Sequence, residues 1–333
     1  MDTSWNTFFT NEKIEQARLD FQKLVVNSPS DGDNFFVAWC PGNTTKIIDK
    51  PYERFRDYEI FLEIVRTDDP SKYEKIHKGT PFYFLAWTAF DLRNYEKAVF
   101  YMDAAISEDM RADTVNWINT PASQFLKLNP LGVQSAVRIT EHLKNRIDAE
   151  IRRFNSISGL SPILIEDFVI KFVNKLISKK DNHSIITAFY SFILEFEDRE
   201  KELLLRSTEG GSIEPVLTHL FKGGLIFESL LKYLYPLDDR SNNCKTIGDI
   251  FKTNSFKFDF PIKIKTGADT LTEVIIGISS NDVQTAFCTT SQLRNTAGHN
   301  LVWDDVFDNL SDLKKLYEQQ VNAIFYLIQK KFL

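Results

Sequence analysis

The stretch Leu313-Lys-Lys-Leu-Tyr-Glu-Gln-Gln-Val-Asn-Ala-Ile-Phe-Tyr-Leu-Ile328 decides the fold class. Its apolar residues Leu313, Leu316, Tyr317, Val321, Ile324, Leu327 and Ile328 recur at intervals of three and four, the spacing that lines one face of an α-helix. Working outward, the same period runs over Glu12–Val26, Tyr52–Arg66, Thr80–Leu92, Tyr95–Ser107, Leu131–Asn155, Pro162–Ser178, Ile185–Arg206 and Ile213–Tyr235, each broken by Gly, Pro or Asn/Asp clusters. The fold class expected is all-α. Only Asn34–Trp39 and Lys46–Asp49, either side of Pro41-Gly42-Asn43, read as extended; they form a small hairpin or a loop, and the loop is favoured. Leu237 to Asn243 reads as a loop, and Asn254–Asp269 as a long irregular connection.

Composition narrows the function classes. In 333 residues, 43% are hydrophobic and 26% charged, the balance of a folded chain rather than a disordered or collagen-like one. Forty basic against forty-six acidic side chains give a net charge of -6, which removes wholesale electrostatic binding to nucleic acid or anionic membrane but leaves room for a local basic site. Cys40, Cys244 and Cys288 are odd in number and widely spaced, as reduced structural thiols are. The first residues lack a secretion signal, and no apolar run reaches membrane-span length, so a cytoplasmic protein without a membrane partner is expected.

Motifs with fixed spacing are missing. The sequence has no Walker A loop, no G-x-G-x-x-G after a strand, no H-E-x-x-H and no G-x-S-x-G. No two of His77, His142, His183, His219 and His299 stand three or four apart, so neither a metal nor another cofactor is expected. Gly223-Gly224 lies within a helical pattern, where missing side chains favour close helix packing. Lys257, Lys263 and Lys265 alternate with Phe256, Phe258 and Phe260, either as an RNA-binding strip or as a solvated loop with its rings turned inward.

In the N-terminal half, Phe84-Leu-Ala-Trp-Thr-Ala-Phe90 and Tyr95-Glu-Lys-Ala-Val-Phe-Tyr-Met-Asp-Ala-Ala105 flank a short Leu-Arg-Asn turn, with Ala86, Ala98 and Ala105 small enough for two helices to approach closely. This resembles one tetratricopeptide hairpin, over about residues 80–110, with no second copy at that period. Residues 1–157 are therefore expected to sense or dock a protein partner or ligand, or simply to build a helical core.

The segment Gln292-Leu-Arg-Asn-Thr-Ala-Gly-His-Asn300 places an arginine before a polar amide and a histidine five positions beyond it. It resembles the R-[N/D/H]-x(3-5)-H signature of the HEPN superfamily, whose members are four- to five-helix bundles, many of them metal-independent endoribonucleases. The resemblance covers residues 211–333 within a C-terminal region 158–333. It implies Arg294, Asn295 and His299 as catalytic residues, single-stranded RNA as substrate, a homodimer with a composite site, and a place among prokaryotic defence and toxin effectors. Residues five apart on a helix point about 140° from each other, so Arg294 must reach round, or the helix must begin or deform near Gly298. Leu301 stands where members silenced by nucleotidylation carry tyrosine.

Upstream, the helix around Phe227-Glu-Ser-Leu-Leu-Lys232 is apolar almost all round yet carries Glu228, and a carboxylate in such surroundings needs a cation. The family resemblance implies that Glu228 holds Arg294 or His299; local pairing with Lys232 at i,i+4 is the equal alternative. For Arg294 and His299 the competing reading is a salt bridge to Asp304 or Asp305 and a helix cap. A catalytically silent HEPN module, acting as a dimerisation or nucleotide-binding scaffold, is the second functional reading.

Overall fold

Helix boundaries follow the polar caps that the chain supplies. Thr10, Asn94, Thr120, Thr253 and Thr270 each accept a backbone N–H of the first turn that follows, satisfying groups a helix start would leave unpaired. The computed structural model describes residues 10–39, 50–132, 136–178, 182–205, 214–236, 246–296 and 310–333. Every regular element among them is helical, so the protein is all-α. Lys46–Asp49, the Pro41 turn, Cys40, Cys244 and the Leu237–Asn243 stretch lie outside the described residues. The chain divides into two units, Met1–Leu143 and Lys144–Leu333.

In the first unit, α1 (Asn11–Lys23), α2 (Asp33–Trp39), α3 (Pro51–Asp68), α4 (Pro70–Lys75), α5 (Gly79–Asp91), α6 (Tyr95–Ala112) and α7 (Pro121–Leu126) precede the start of α8 (Val137–Ser158). The Asn34–Trp39 segment, read as part of a hairpin or, in preference, a loop, is the helix α2. Seven residues are too few to display a helical period, and Phe-Phe-Val favours strand on propensity alone. Tertiary packing overrides that preference: Phe35 lies 5.2 Å from Phe21 and 5.9 Å from Phe61, and Phe36 meets Phe61 edge-on at 6.5 Å. Helices α5 and α6 form a hairpin in which Ala86, Ala89, Ala98 and Ala105 are buried. Arg93 turns the corner at φ 57°, and the Asn94 N–H returns to the Ala89 carbonyl at 2.9 Å.

The second unit continues along α8 into α9 (Ile165–Asp167), a π-helical stretch (Phe168–Val173), α10 (Asn174–Ile177), α11 (His183–Leu205), α12 (Glu214–Leu234), α13 (Ile247–Lys252), α14 (Asn254–Asp259), α15 (Leu271–Ile276), α16 (Val283–Thr296) and α17 (Leu310–Phe332). The helix expected from Leu131 begins at Val137, after a 3-10 turn over Pro130–Gly132. Likewise, Asn254–Asp269 is not wholly irregular, because Thr253 caps α14 and Phe256 buries against Phe260 and Phe287. Helix α12 lies against α11, α16 and α17. The Gly pair explains how one helix meets three: a Cβ on Gly223 would stand 2.7 Å from Phe192 of α11 and Gln320 of α17. The core adds Phe189, Phe227, Leu231, Phe287, Leu316 and Phe325, each buried and each contributing about 1.5–3 kcal/mol of apolar burial.

Candidate functional site

Glu228 sits on the buried side of α12, its side chain 5% exposed, and both of its oxygens are engaged by cations. Arg294 of α16 donates from Nε to Oε2 at 2.7 Å, and Lys232, one turn further along α12, meets Oε1 at 2.7 Å. The two readings of this carboxylate are therefore both realised, one on each oxygen. Burial by itself would raise the Glu228 pKa, but hydrogen bonds and charge from Lys232 and Arg294 outweigh it and hold the carboxyl below its ordinary value. One buried anion faces two cations, which leaves an excess of one positive charge beside it.

The contact depends on a close helix approach. A Cβ on Gly224 would come within 2.6 Å of Arg294 Cβ, so only glycine lets α16 settle here against α12 without displacement. Arg294 also donates from Nη1 to Asn295 Oδ1 at 3.2 Å. Asn295 in turn donates from Nδ2 to the Thr266 carbonyl at 2.7 Å, and Gln292 donates to the Gly267 carbonyl at 3.0 Å. Asn295 thus braces Arg294 and ties α16 to the preceding segment. Among the described residues no hydrogen bond is made by Arg294 Nη2, and the side chain is 32% exposed.

His299 lies outside the described residues, as do Leu301, Asp304 and Asp305. Residues 261–269 run as a strap along α16, with exposed Lys263, Lys265 and Asp269 alternating with half-buried Ile262, Ile264 and Thr266. Lys265 is ion-paired with Glu273, whose hydrogen bond raises the Lys265 pKa, whereas Lys257 and Lys263 are exposed. Of the interleaved rings, Phe256 and Phe260 turn inward and Phe258 is 86% exposed. The expected basic strip is thus a strap with one neutralised lysine and one exposed ring. Thr266 and Gly267 were not singled out by the motif; the signal for them is the period-two alternation of Ile262 and Ile264 with Lys263 and Lys265.

No group of three or more His, Cys, Asp or Glu among the described residues could hold a metal ion. No described helix is long and apolar enough to cross a membrane. The chain matches no protein family, no curated protein and no solved structure.

Proposed function

We propose that the chain is a metal-independent endoribonuclease of the HEPN type, cutting single-stranded RNA in the cytoplasm as a prokaryotic defence or toxin effector. The observation that carries the reading is the Glu228–Arg294 contact, which fixes one guanidinium on a buried anion while its side chain stays 32% exposed. An Arg so held is a ready-made support for a phosphodiester oxygen, because its planar fork loses little freedom on binding. Lys232 adds a second positive charge on the same carboxylate.

In this reading the neighbouring 2′-hydroxyl attacks phosphorus, His299 takes its proton as general base, and the partner copy's equivalent histidine protonates the departing 5′-oxygen. Arg294 stabilises charge growing on the phosphorane oxygens, while Asn295 and Glu228 position it. Products end in 2′,3′-cyclic phosphate and 5′-hydroxyl, and the site is completed by a homodimer. Lys257, Lys263 and Phe258 offer exposed charge and a stacking face for the flanking strand.

One observation favours the second reading, a catalytically silent HEPN scaffold: Arg294 already has partners on two of its nitrogens within its own chain. Labelled single-stranded RNA incubated with purified protein in EDTA separates the two. Cleavage that disappears in His299→Ala and in Arg294→Ala supports the nuclease. Intact RNA with the unaltered protein, under conditions where it is dimeric, leaves the scaffold.

A further inference from the structure

The first unit contains a cavity of about 500 Å³ with mostly apolar walls. Tyr83 and Phe84 of α5 and Ala122 of α7 line it, and the polar groups on its wall include His77, Thr80 and Asp109. Its size falls within the range of small-molecule sites, and few polar groups in an apolar enclosure is the composition such sites share.

The polar end is built from three elements distant in sequence. His77, in the turn before α5, meets Asp33 of α2 through Nδ1 at 2.7 Å and Asp109 of α6 through Nε2 at 2.8 Å. Gly79 makes room for this arrangement, since a Cβ there would lie 2.5 Å from both Asp109 Oδ1 and His77 Nε2. Asp109 has a side chain 10% exposed and gives Oδ1 to the imidazole; among the described residues no side-chain hydrogen bond reaches Oδ2. The neighbouring Glu108 is ion-paired with both Lys78 and Arg111, which leaves one positive charge in excess there, and none of the three lines the cavity. Two carboxylates thus flank one imidazole, and the buried one, Asp109, lines a chamber with two aromatic rings.

We propose that this cavity binds a small primary amine carrying an apolar ring, with its ammonium group on Asp109 Oδ2 and its ring against Tyr83 and Phe84. An ammonium donor answers the Asp109 carboxylate oxygen that the imidazole does not use, and aromatic faces attract the same cation. A carboxylate-bearing ligand meets repulsion at the same wall. A neutral alcohol supplies the hydrogen bond without the charge.

Calorimetric titration of the full chain with 2-phenylethylamine, 2-phenylethanol and 3-phenylpropanoate tests the assignment. The amine is expected to bind at least about tenfold more tightly than the alcohol, as a charge-assisted bond exceeds a neutral one, and the carboxylate not at all. Thr80→Leu, at a half-buried position on the wall, fills the chamber while leaving His77 and Asp109 in place, and is expected to weaken amine binding at least about tenfold. Equal affinity for amine and alcohol overturns the proposal, as does amine binding undiminished in Thr80→Leu, or no heat from the amine at millimolar concentration. If Thr80→Leu does not fold, the comparison of the three ligands on the unaltered protein decides alone.

Discussion

Gly224 and Arg294 occupy adjoining positions on crossing helices, close enough that a Cβ at the first would stand 2.6 Å from the Cβ of the second and 3.0 Å from its Cα. Backbone lies behind the clash, so no rotamer change relieves it. Gly224→Ala is therefore expected to push α16 away from α12 and to lower stability by about 1–3 kcal/mol, against the gain of about 1 kcal/mol that alanine brings to a helix interior. Urea unfolding monitored by circular dichroism measures the balance. A variant as stable as the parent refutes the close approach.

Glu228 links the same helices through charge. Glu228→Gln leaves Arg294 and Lys232 facing a neutral amide, at an expected loss of about 1.5–3 kcal/mol, the scale of a hydrogen bond to a charged group. The sign with pH follows from the lowered carboxyl pKa. Stability from this group is complete above the ordinary carboxylate pKa and is lost as pH falls through the depressed value. The variant should show a flatter acid limb between about pH 5 and pH 3. Denaturation midpoints collected across that range supply the comparison, and parallel curves for parent and variant would contradict it.

His219 gives a second acid-sensitive element. Burial drives its pKa down to about 3 and outweighs the Nε2 hydrogen bond to the Phe192 carbonyl, which acts the other way; the ring stacks on Phe192 at 4.5 Å and its Nδ1 is kept out of water. The folded protein holds this ring neutral while the unfolded chain protonates it near pH 6.5, so stability falls as pH drops below that value. Linkage gives a loss of about 2 kcal/mol between pH 6.5 and 4.5 from this residue alone. His219→Gln should abolish that slope while costing stability at neutral pH. A slope unchanged by the substitution means that the ring is not held neutral.

His77 should behave with the opposite sign. Burial opposes its charge, but hydrogen bonds to Asp109 and Asp33 prevail and its pKa is raised. Its stabilisation is whole below pH 6.5 and disappears as pH climbs through the raised value. Asp33→Asn, on the more exposed partner, should bring that loss to lower pH. Proton-detected histidine titration by NMR reads it directly, and an imidazole that titrates at the same pH in both proteins excludes the pairing.

Much of this architecture was legible from periodicity, and the exceptions have physical causes. The long helices announce themselves through apolar residues spaced three and four apart, and the buried carboxylate of Glu228 could be suspected because an acid within Leu225-Ile-Phe-Glu-Ser-Leu-Leu requires a cation. Helix α2 escaped because its conformation is fixed by Phe21 and Phe61, on other helices, rather than by its own seven residues. The Asp33–His77–Asp109 group escaped for the same reason: its members are 44 and 32 positions apart, a separation at which no spacing rule applies. The contacts of Asn295 to Arg294 and Thr266 escaped as well, because they run through a strap that only the fold brings alongside α16.

Arg294→Lys probes whether one guanidinium does two tasks. Arginine reaches Glu228 through Nε while Nη2 has no partner among the described residues, a division that a single ammonium cannot reproduce with the same geometry. If Nη2 supports a phosphodiester oxygen, the lysine variant should retain most of its folding stability, since an ion pair to Glu228 can still form, yet lose about a hundredfold in RNA cleavage, the scale of removing one preorganised donor from a developing oxyanion. Single-turnover cleavage and urea unfolding on the same preparation keep the two effects apart. A variant that cleaves at the parent rate shows that charge alone suffices and that the fork has no role in the chemistry. One that loses stability and cleavage together shows that Arg294 acts chiefly by holding α12 and α16 in place.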